Sequence, residues 1–291
     1  MTTRRCSERR YLLKPSEAMN QILLYCLAYA AAQHGILIHS YSFLSNHYHM
    51  TLTDPLGTLP HFLCLFHCLV ARAGNRLRGR GESFWDPRST SALELSDVPT
   101  FMKQHVYVLT NPVKHGLKRH PSHWEGLQSS PDDLGKVIRV KRPKGFFREE
   151  KGLPDEVTLT LTKPPLCAEL PDEEYVDQVK RLSAAETLRL KAERKRAGKR
   201  LALPPSALSG TSPHDRPKGG TIPRRDKIKP VLACAGNPRR LASLERALRA
   251  WRQAYRYAWA LWKAGRRDVV FPIGTFAMRV NHSACCGLPA P

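Results

Sequence analysis

The chain has 291 residues, of which 47 are lysine or arginine and 25 are aspartate or glutamate, so its formal net charge is +22 and its pI about 10.0. A charge of this size favours a polyanionic partner, with nucleic acid ahead of an anionic membrane surface. No apolar run approaches the roughly 20 residues that cross a bilayer, so we expect no membrane partner. The eight cysteines are scattered and do not suggest a disulfide framework, and the N-terminus has no apolar signal-like run. We therefore expect a cytoplasmic location.

Hydrophobic periodicity predicts the first elements in chain order. They are a strand at 9–14, a helix at 18–33, a strand at 36–43, a second strand that carries His47 and His49, a helix at 58–78, a loop at 82–96 with a short strand at most, and a helix at 98–111. Ser96 or Asp97 is expected to cap the last helix, and Asn111-Pro112 is expected to end it. This order predicts an α+β fold, a central antiparallel sheet with helices packed on it.

The chain changes in character after residue 130. We predict a first domain at 1–130 and an accessory region at 131–291 that is basic, mainly helical and partly disordered. Within that region, 180–230 holds 15 basic and 4 acidic residues. Helical patterns run over about 172–200 and 239–264, and the Pro/Gly/Ser-rich stretch at 204–230 is expected to be flexible.

Two histidines separated by one residue stand in the strand-like run at 45–53. Because successive side chains of a strand point to opposite faces, we expect His47 and His49 on one face and Tyr48 on the other. Two adjacent imidazoles supply half of a divalent-metal site. Alone, such a pair is more often structural, so the interpretation depends on a second segment.

The helix at 98–111 supplies a possible nucleophile and a further ligand. Tyr107 and Asn111 are at positions i and i+4, so they lie on one helical face. A divalent cation bound by the two histidines and the Asn111 amide oxygen would polarise a phosphate and align it for attack by the phenol. That mixture of nitrogen and oxygen ligands suits Mg²⁺ or Mn²⁺. The product would be one DNA end joined to tyrosine and another with a free hydroxyl.

Together these segments resemble the single-tyrosine HUH endonuclease superfamily, and most of all the REP-associated tyrosine transposases. The resemblance covers residues 9–130. Its motifs are Asn46-His47-Tyr48-His49, the segment Tyr107 to Leu117 (YVLTNPVKHGL), Phe84-Trp85-Asp86, and Trp124-Glu125-Gly126 followed by Ser129-Ser130. Ser45 departs from the family pattern, which usually has proline there.

The resemblance implies a fold like that of HUH nucleases and replication initiators. It also implies that His47, His49 and Asn111 hold Mg²⁺ or Mn²⁺ and that Tyr107 is the nucleophile. The implied activity is that of a transposase and DNA endonuclease that cleaves and rejoins hairpin-bearing single-stranded DNA through a 5′-phosphotyrosine intermediate. Such an enzyme would serve DNA transposition and recombination at the nucleoid, as a monomer or homodimer.

Several residues are candidates for DNA binding outside the reacting centre. They are Arg72, Arg76, Arg78, Arg80, Trp85 and Lys114. The arginines would contact the phosphate backbone, and Trp85 would either stack on a base or pack in the core. Two other functions stay open at this point. One is a non-catalytic nucleic-acid-binding relative, and the other is a metal-dependent phosphoesterase that uses water and in which Tyr107 is structural.

Overall fold

The computed structural model describes residues 1–147, 152–217, 231–234 and 237–287. The chain divides into two compact units, residues 1–231 and residues 232–291. Among the described helices, none combines the length and the apolar character that crossing a membrane requires.

The first unit is built on a four-stranded antiparallel sheet with the order β2-β3-β1-β4. Its strands are β1 (Thr2–Arg5), β2 (Leu37–Phe43), β3 (His47–Thr53) and β4 (Ser91–Ala92), and a short β5 (Glu94–Leu95) follows. In the register of β1 and β3, Arg5 lies opposite His47 and Thr3 opposite His49. The predicted antiparallel sheet and two of its strands, β2 and β3, are confirmed.

The predicted strand at 9–14 is wrong, and the first strand is β1. A short 3₁₀ turn, Ser7–Arg9, reverses the chain after β1, and Glu8 and Arg9 adopt positive φ values of 51° and 62°. The apolar residues that suggested a strand are core residues of an irregular segment. Leu12 and Leu13 are 0% and 1% exposed, and the Leu13 N–H donates to the Ser45 carbonyl.

Helices cover the two faces of the sheet. They are α1 (Glu17–His34), α2 (Leu59–Leu77), α3 (Val98–Leu109) and α4 (Asn111–Lys114). Tyr48 of β3 packs against Phe66 and His67 of α2, whereas the neighbouring His49 contacts Tyr107 of α3. The alternation of the strand thus places the aromatic core on one face and the two histidines on the other.

The predicted helix at 98–111 ends earlier than expected. Its N-terminus is capped by Asp97, whose carboxylate accepts from the Thr100 N–H at 2.7 Å. The helix ends at Leu109, and Asn111 begins the separate short helix α4. Pro112 lies in the first turn of α4, where its missing N–H removes no intrahelical hydrogen bond. Asn111-Pro112 therefore starts a helix instead of ending one.

The segment after residue 130 continues the first unit. It contains β6 (Val137–Lys141), β7 (Glu156–Thr160), α5 (Asp172–Arg196) and α6 (Pro205–Ser209). Leu161, just after β7, bridges to Ile38 of β2, and α5 packs against α3. The predicted boundary at residue 130 thus falls inside one compact unit. Of the stretch predicted to be flexible, 204–217 is described and includes α6, and 218–230 lies outside the described residues.

The second unit contains β8 (Leu232–Ala233), α7 (Pro238–Lys263) and α8 (Phe276–His282). Asn237 caps α7 by accepting from the Arg240 N–H at 3.0 Å. Its small core forms around Phe271, which is fully buried and packs against Tyr255 and Trp262 of α7. Helices α5 and α7 confirm the two helical patterns predicted for the C-terminal half.

Candidate active site

The two histidines of β3 lie side by side on the sheet, with ring centroids 5.1 Å apart. His49 is 8% exposed and His47 is half-buried. Asn46 fixes the orientation of the His47 ring, since its amide Nδ2 donates to the Arg9 carbonyl at 3.0 Å and its Oδ1 accepts from His47 Nδ1 at 2.7 Å. The Nε2 atom of His47 therefore keeps its lone pair for another partner.

Tyr107 approaches this pair from α3. Its hydroxyl oxygen lies 3.5 Å from Nε2 of His49, near the upper limit of a hydrogen bond, and the two rings meet edge to face at 5.1 Å. Lys114 covers the phenol, with Nζ 4.1 Å from the ring centroid. The structure thus brings together the histidine strand and the tyrosine helix, two segments that are distant in sequence.

The end of α3 is held by the segment around Ser129. The Gln128 side chain donates from Nε2 to the Leu109 carbonyl at 2.9 Å and accepts from Ser42 Oγ at 3.0 Å. The Tyr41 N–H of β2 donates to Ser129 Oγ at 3.0 Å. Residues 128 and 129 therefore connect the sheet to the last turn of the tyrosine helix. This contact explains why a motif after residue 124 bears on the geometry of Tyr107.

Asn111 has the most unusual environment among the predicted site residues. It is 0% exposed, and neither Oδ1 nor Nδ2 of its amide has a hydrogen-bond partner. Nδ1 of His49 is likewise buried without a partner. Leaving a buried polar atom unpaired costs roughly 1–3 kcal/mol, so such a residue is expected to serve a bound group. The orphaned amide oxygen is a suitable ligand for a hard divalent cation.

Within the described ranges, no cluster of three or more His, Cys, Asp or Glu side chains is placed to hold a metal ion. A third protein ligand would therefore have to be of another residue type, and the Asn111 amide is the ligand that the sequence predicts. His47 Nε2, His49 and Asn111 Oδ1 are the donors that fit Mg²⁺ or Mn²⁺. The predicted ligand set thus has suitable chemistry, and metal binding itself stays a prediction.

The histidines of the site lie among positively charged groups. Burial, followed by the charges of His115, Lys114 and Arg5, lowers the pKa of His49 to about 3. Burial and the neighbouring His49 hold the pKa of His47 well below its usual value. Both imidazoles are therefore neutral at pH 7, which is the state that binds a metal. So low a pKa also makes His49 a poor base for the Tyr107 proton.

Sequence reasoning did not identify His115 as a member of the site. Its ring meets that of His47 at 5.4 Å, edge to face. The next residue, Gly116, fixes the end of α4. Its φ is +66°, and the Arg194 guanidinium lies so close to it that a Cβ on residue 116 would collide with the guanidinium. Arg194 of α5 also donates to the Lys114 carbonyl at 3.4 Å. The Lys114-His115-Gly116 triplet is the sequence feature that could have indicated His115. It did not, because the position of His115 depends on contacts with α5, which is distant in sequence.

The structure separates the residues predicted to bind DNA into two groups. Arg72, Arg76 and Lys114 are exposed. Arg78 instead donates to the backbone carbonyls of Leu12 and Lys14 at 3.1 and 2.6 Å. Arg80 has a side chain only 10% exposed, paired with Glu82 at 3.2 Å. The last two arginines therefore have roles within the fold.

Trp85 does not lie where a base could stack on it. It is 4% exposed, packs against Tyr48 and Phe84, and donates from Nε1 to the His67 carbonyl at 3.0 Å. The prediction that this indole contacts DNA is corrected to a core role. The sequence could not distinguish the two because an aromatic side chain suits both environments.

Comparison with known proteins gives a limited result. No protein-family model and no curated protein matches the chain. Among solved structures, it is similar to that of a REP-associated tyrosine transposase bound to a REP hairpin, with 18% sequence identity and a TM-score of 0.36. The match covers 50% of this chain and 80% of the other. A likeness of this size is too weak to assign the chain to a family.

Proposed function

We propose that this protein is a metal-dependent DNA endonuclease and strand transferase of the single-tyrosine HUH type, acting as a transposase, with Tyr107 as the nucleophile. The observation that carries the proposal is the 3.5 Å approach of the Tyr107 hydroxyl to Nε2 of His49, the second histidine of the Asn-His-Tyr-His motif. Fold packing alone does not require a tyrosine and two histidines to meet on one side of a sheet.

The reaction transfers a phosphodiester from one oxygen to another. The phenolic oxygen of Tyr107 forms a bond to phosphorus, and the bond from phosphorus to the 3′-oxygen of the preceding nucleotide breaks. The phenol loses its proton to solvent, and the leaving oxygen takes one up to become a free 3′-hydroxyl. Because the phosphodiester energy is kept in the 5′-phosphotyrosine, the step runs backwards onto another 3′-hydroxyl without ATP.

The protein's contribution is to orient the reacting groups. Lys114 covers the phenol at 4.1 Å and limits the directions from which it is approached. His47, His49 and Asn111 would hold the Mg²⁺ or Mn²⁺, and the ion would supply polarisation of the phosphate. Positioning of a nucleophile and a phosphate in one site accounts for a large share of the rate in phosphoryl transfer.

The proposed substrate is single-stranded DNA that carries a hairpin. The net charge of +22 and the exposed arginines Arg72 and Arg76 support a nucleic-acid partner. The choice of hairpin-bearing single strands rests on the motif resemblance, and the same resemblance leaves a monomer and a homodimer as the two possible active forms.

The experiment that tests the proposal looks for a covalent protein–DNA adduct. The purified chain is incubated with labelled hairpin DNA from sequence flanking its gene, with Mn²⁺, Mg²⁺ or EDTA, and the products are separated on a denaturing gel. We expect an adduct that requires metal and is absent from Tyr107→Phe. The control is Tyr257→Phe, because Tyr257 is 68% exposed and lies in the second unit.

Two outcomes would contradict the proposal in different ways. Cleavage without an adduct, unchanged in Tyr107→Phe, would indicate a phosphoesterase that uses water. Tight DNA binding without cleavage of any flanking hairpin would indicate a non-catalytic nucleic-acid-binding protein.

A further inference from the structure

The three imidazoles of the site lie against one another, since the His47 ring meets those of His49 and His115 edge to face at 5.1 and 5.4 Å. Two cations belong to the same region, because Arg5 pairs with His47 in the sheet register and Lys114 lies over the Tyr107 ring. Positive charge concentrated in this way favours an anion.

The sheet register places Arg5 on the same face as the site. Arg5 lies directly opposite His47 in the antiparallel pair of β1 and β3, and side chains of directly opposed residues project from one face. The preceding Arg4 projects the other way, with its guanidinium 5.7 Å from the centre of the Trp85 ring in the core. Two adjacent arginines thus face opposite environments.

The backbone of Arg5 is fixed while its side chain remains accessible. Its N–H donates to Ser89 Oγ at 2.9 Å, and its carbonyl accepts from the Asp86 N–H at 3.0 Å. The residue is nevertheless exposed, and the described residues provide no ion pair for its guanidinium. A charged fork on a rigid strand is suited to hold a phosphate with two parallel hydrogen bonds.

Lys114 adds a second cation, since its ammonium group lies over the ring of Tyr107. We infer that Arg5, together with Lys114, binds the non-bridging oxygens of the phosphodiester that Tyr107 attacks. Arg5 is thus a substrate-binding residue that the motifs do not include. This inference deepens the proposed function and rests on it for the identity of the phosphate.

The first test measures binding and needs no catalysis. Labelled hairpin DNA is titrated against Tyr107→Phe protein at 0.3 M NaCl, where contacts of exposed charges are strongly screened. Adding Arg5→Gln is expected to weaken binding about tenfold, and Arg5→Lys less. The control is Arg139→Gln, because Arg139 is 74% exposed on β6. It removes the same charge and should change the affinity less than twofold.

The second test measures the rate of adduct formation with saturating DNA. If Arg5 holds the attacked phosphate, Arg5→Gln should slow a single turnover by about 100-fold, as loss of one donor to a reacting oxyanion does in other enzymes. Equal affinities and equal rates for Arg5→Gln and Arg139→Gln would overturn the inference and leave the proposed function intact.

The two proposals fail separately. If the wild-type protein forms no adduct but Arg5→Gln still weakens binding selectively, the anion site stands and the tyrosine chemistry fails. If Arg5→Gln slows the adduct without weakening binding, Arg5 contacts the phosphate only during transfer, which also supports the inference.

Discussion

Replacing Asn111 by leucine should make the protein more stable and less functional. Asn111 is 0% exposed, and both polar atoms of its amide lack a partner. Each unsatisfied atom costs roughly 1–3 kcal/mol, and leucine has a similar shape without polar atoms. After allowance for imperfect packing of the new methyl groups, Asn111→Leu is expected to raise the free energy of unfolding by about 1–3 kcal/mol.

Urea denaturation followed by circular dichroism measures this change. The control is Gln128→Leu, because the Gln128 amide donates to the Leu109 carbonyl at 2.9 Å and accepts from Ser42 Oγ at 3.0 Å, so its loss should destabilise the protein. Mn²⁺ at a hundredfold excess over its Kd should add about 2.7 kcal/mol to the wild type and much less to Asn111→Leu. Destabilisation by Asn111→Leu, or equal stabilisation of both proteins by Mn²⁺, would refute the assignment of this amide as a metal ligand.

Three further predictions concern the fold. His67 and His105 are buried, and burial lowers their pKa values from 6.5 to about 3. Between these pH values the unfolded chain binds more protons than the folded one, so each histidine should cost about 2 kcal/mol of stability as the pH falls from 6.5 to 5. In urea titrations, His67→Gln should therefore reduce the dependence of the free energy of unfolding on pH. Trp85→Phe should lower the free energy of unfolding by about 1–3 kcal/mol yet leave DNA affinity in fluorescence anisotropy unchanged, and a selective loss of affinity would restore Trp85 as a DNA contact. Gly126→Ala should destabilise by about 1–3 kcal/mol because its Cβ meets the indole of Trp124, whereas Gly81→Ala, which meets nothing, should have little effect on the thermal midpoint.

The sequence predicted the sheet because its signals there are local. The alternation through β3 and the spacing of apolar residues in α1 and α2 depend on neighbours along the chain. The predicted strand at 9–14 failed because Leu12 and Leu13 are buried by the tertiary fold. Just before these two leucines, Glu8 and Arg9 adopt positive φ values. Such values are uncommon for residues other than glycine, so the sequence did not predict this turn.

The site was predictable to the extent that it consists of motifs. Strand alternation predicted His47 and His49 on one face, and the helical pattern predicted Tyr107 on α3. Asn111 was predicted on the same helix as Tyr107 but lies in the separate helix α4. Arg5 was not predicted, because its relation to His47 depends on the pairing of β1 with β3, which no local pattern encodes.

The residues that surround the motifs show the same limit. His115 is positioned through Arg194, which is on a helix far along the chain. The core role of Trp85 depends on the carbonyl of His67.

The most direct test of the central claim is to locate the covalent bond in the protein–DNA adduct. Trypsin should release residues 104–114, a peptide whose single tyrosine is Tyr107, and mass spectrometry would show whether this tyrosine carries a nucleotide through its 5′-phosphate. The account predicts that modified peptide, together with a released DNA fragment whose 3′-hydroxyl a polymerase extends. An unmodified peptide accompanied by cleaved DNA, or a nucleotide on another residue, would contradict it.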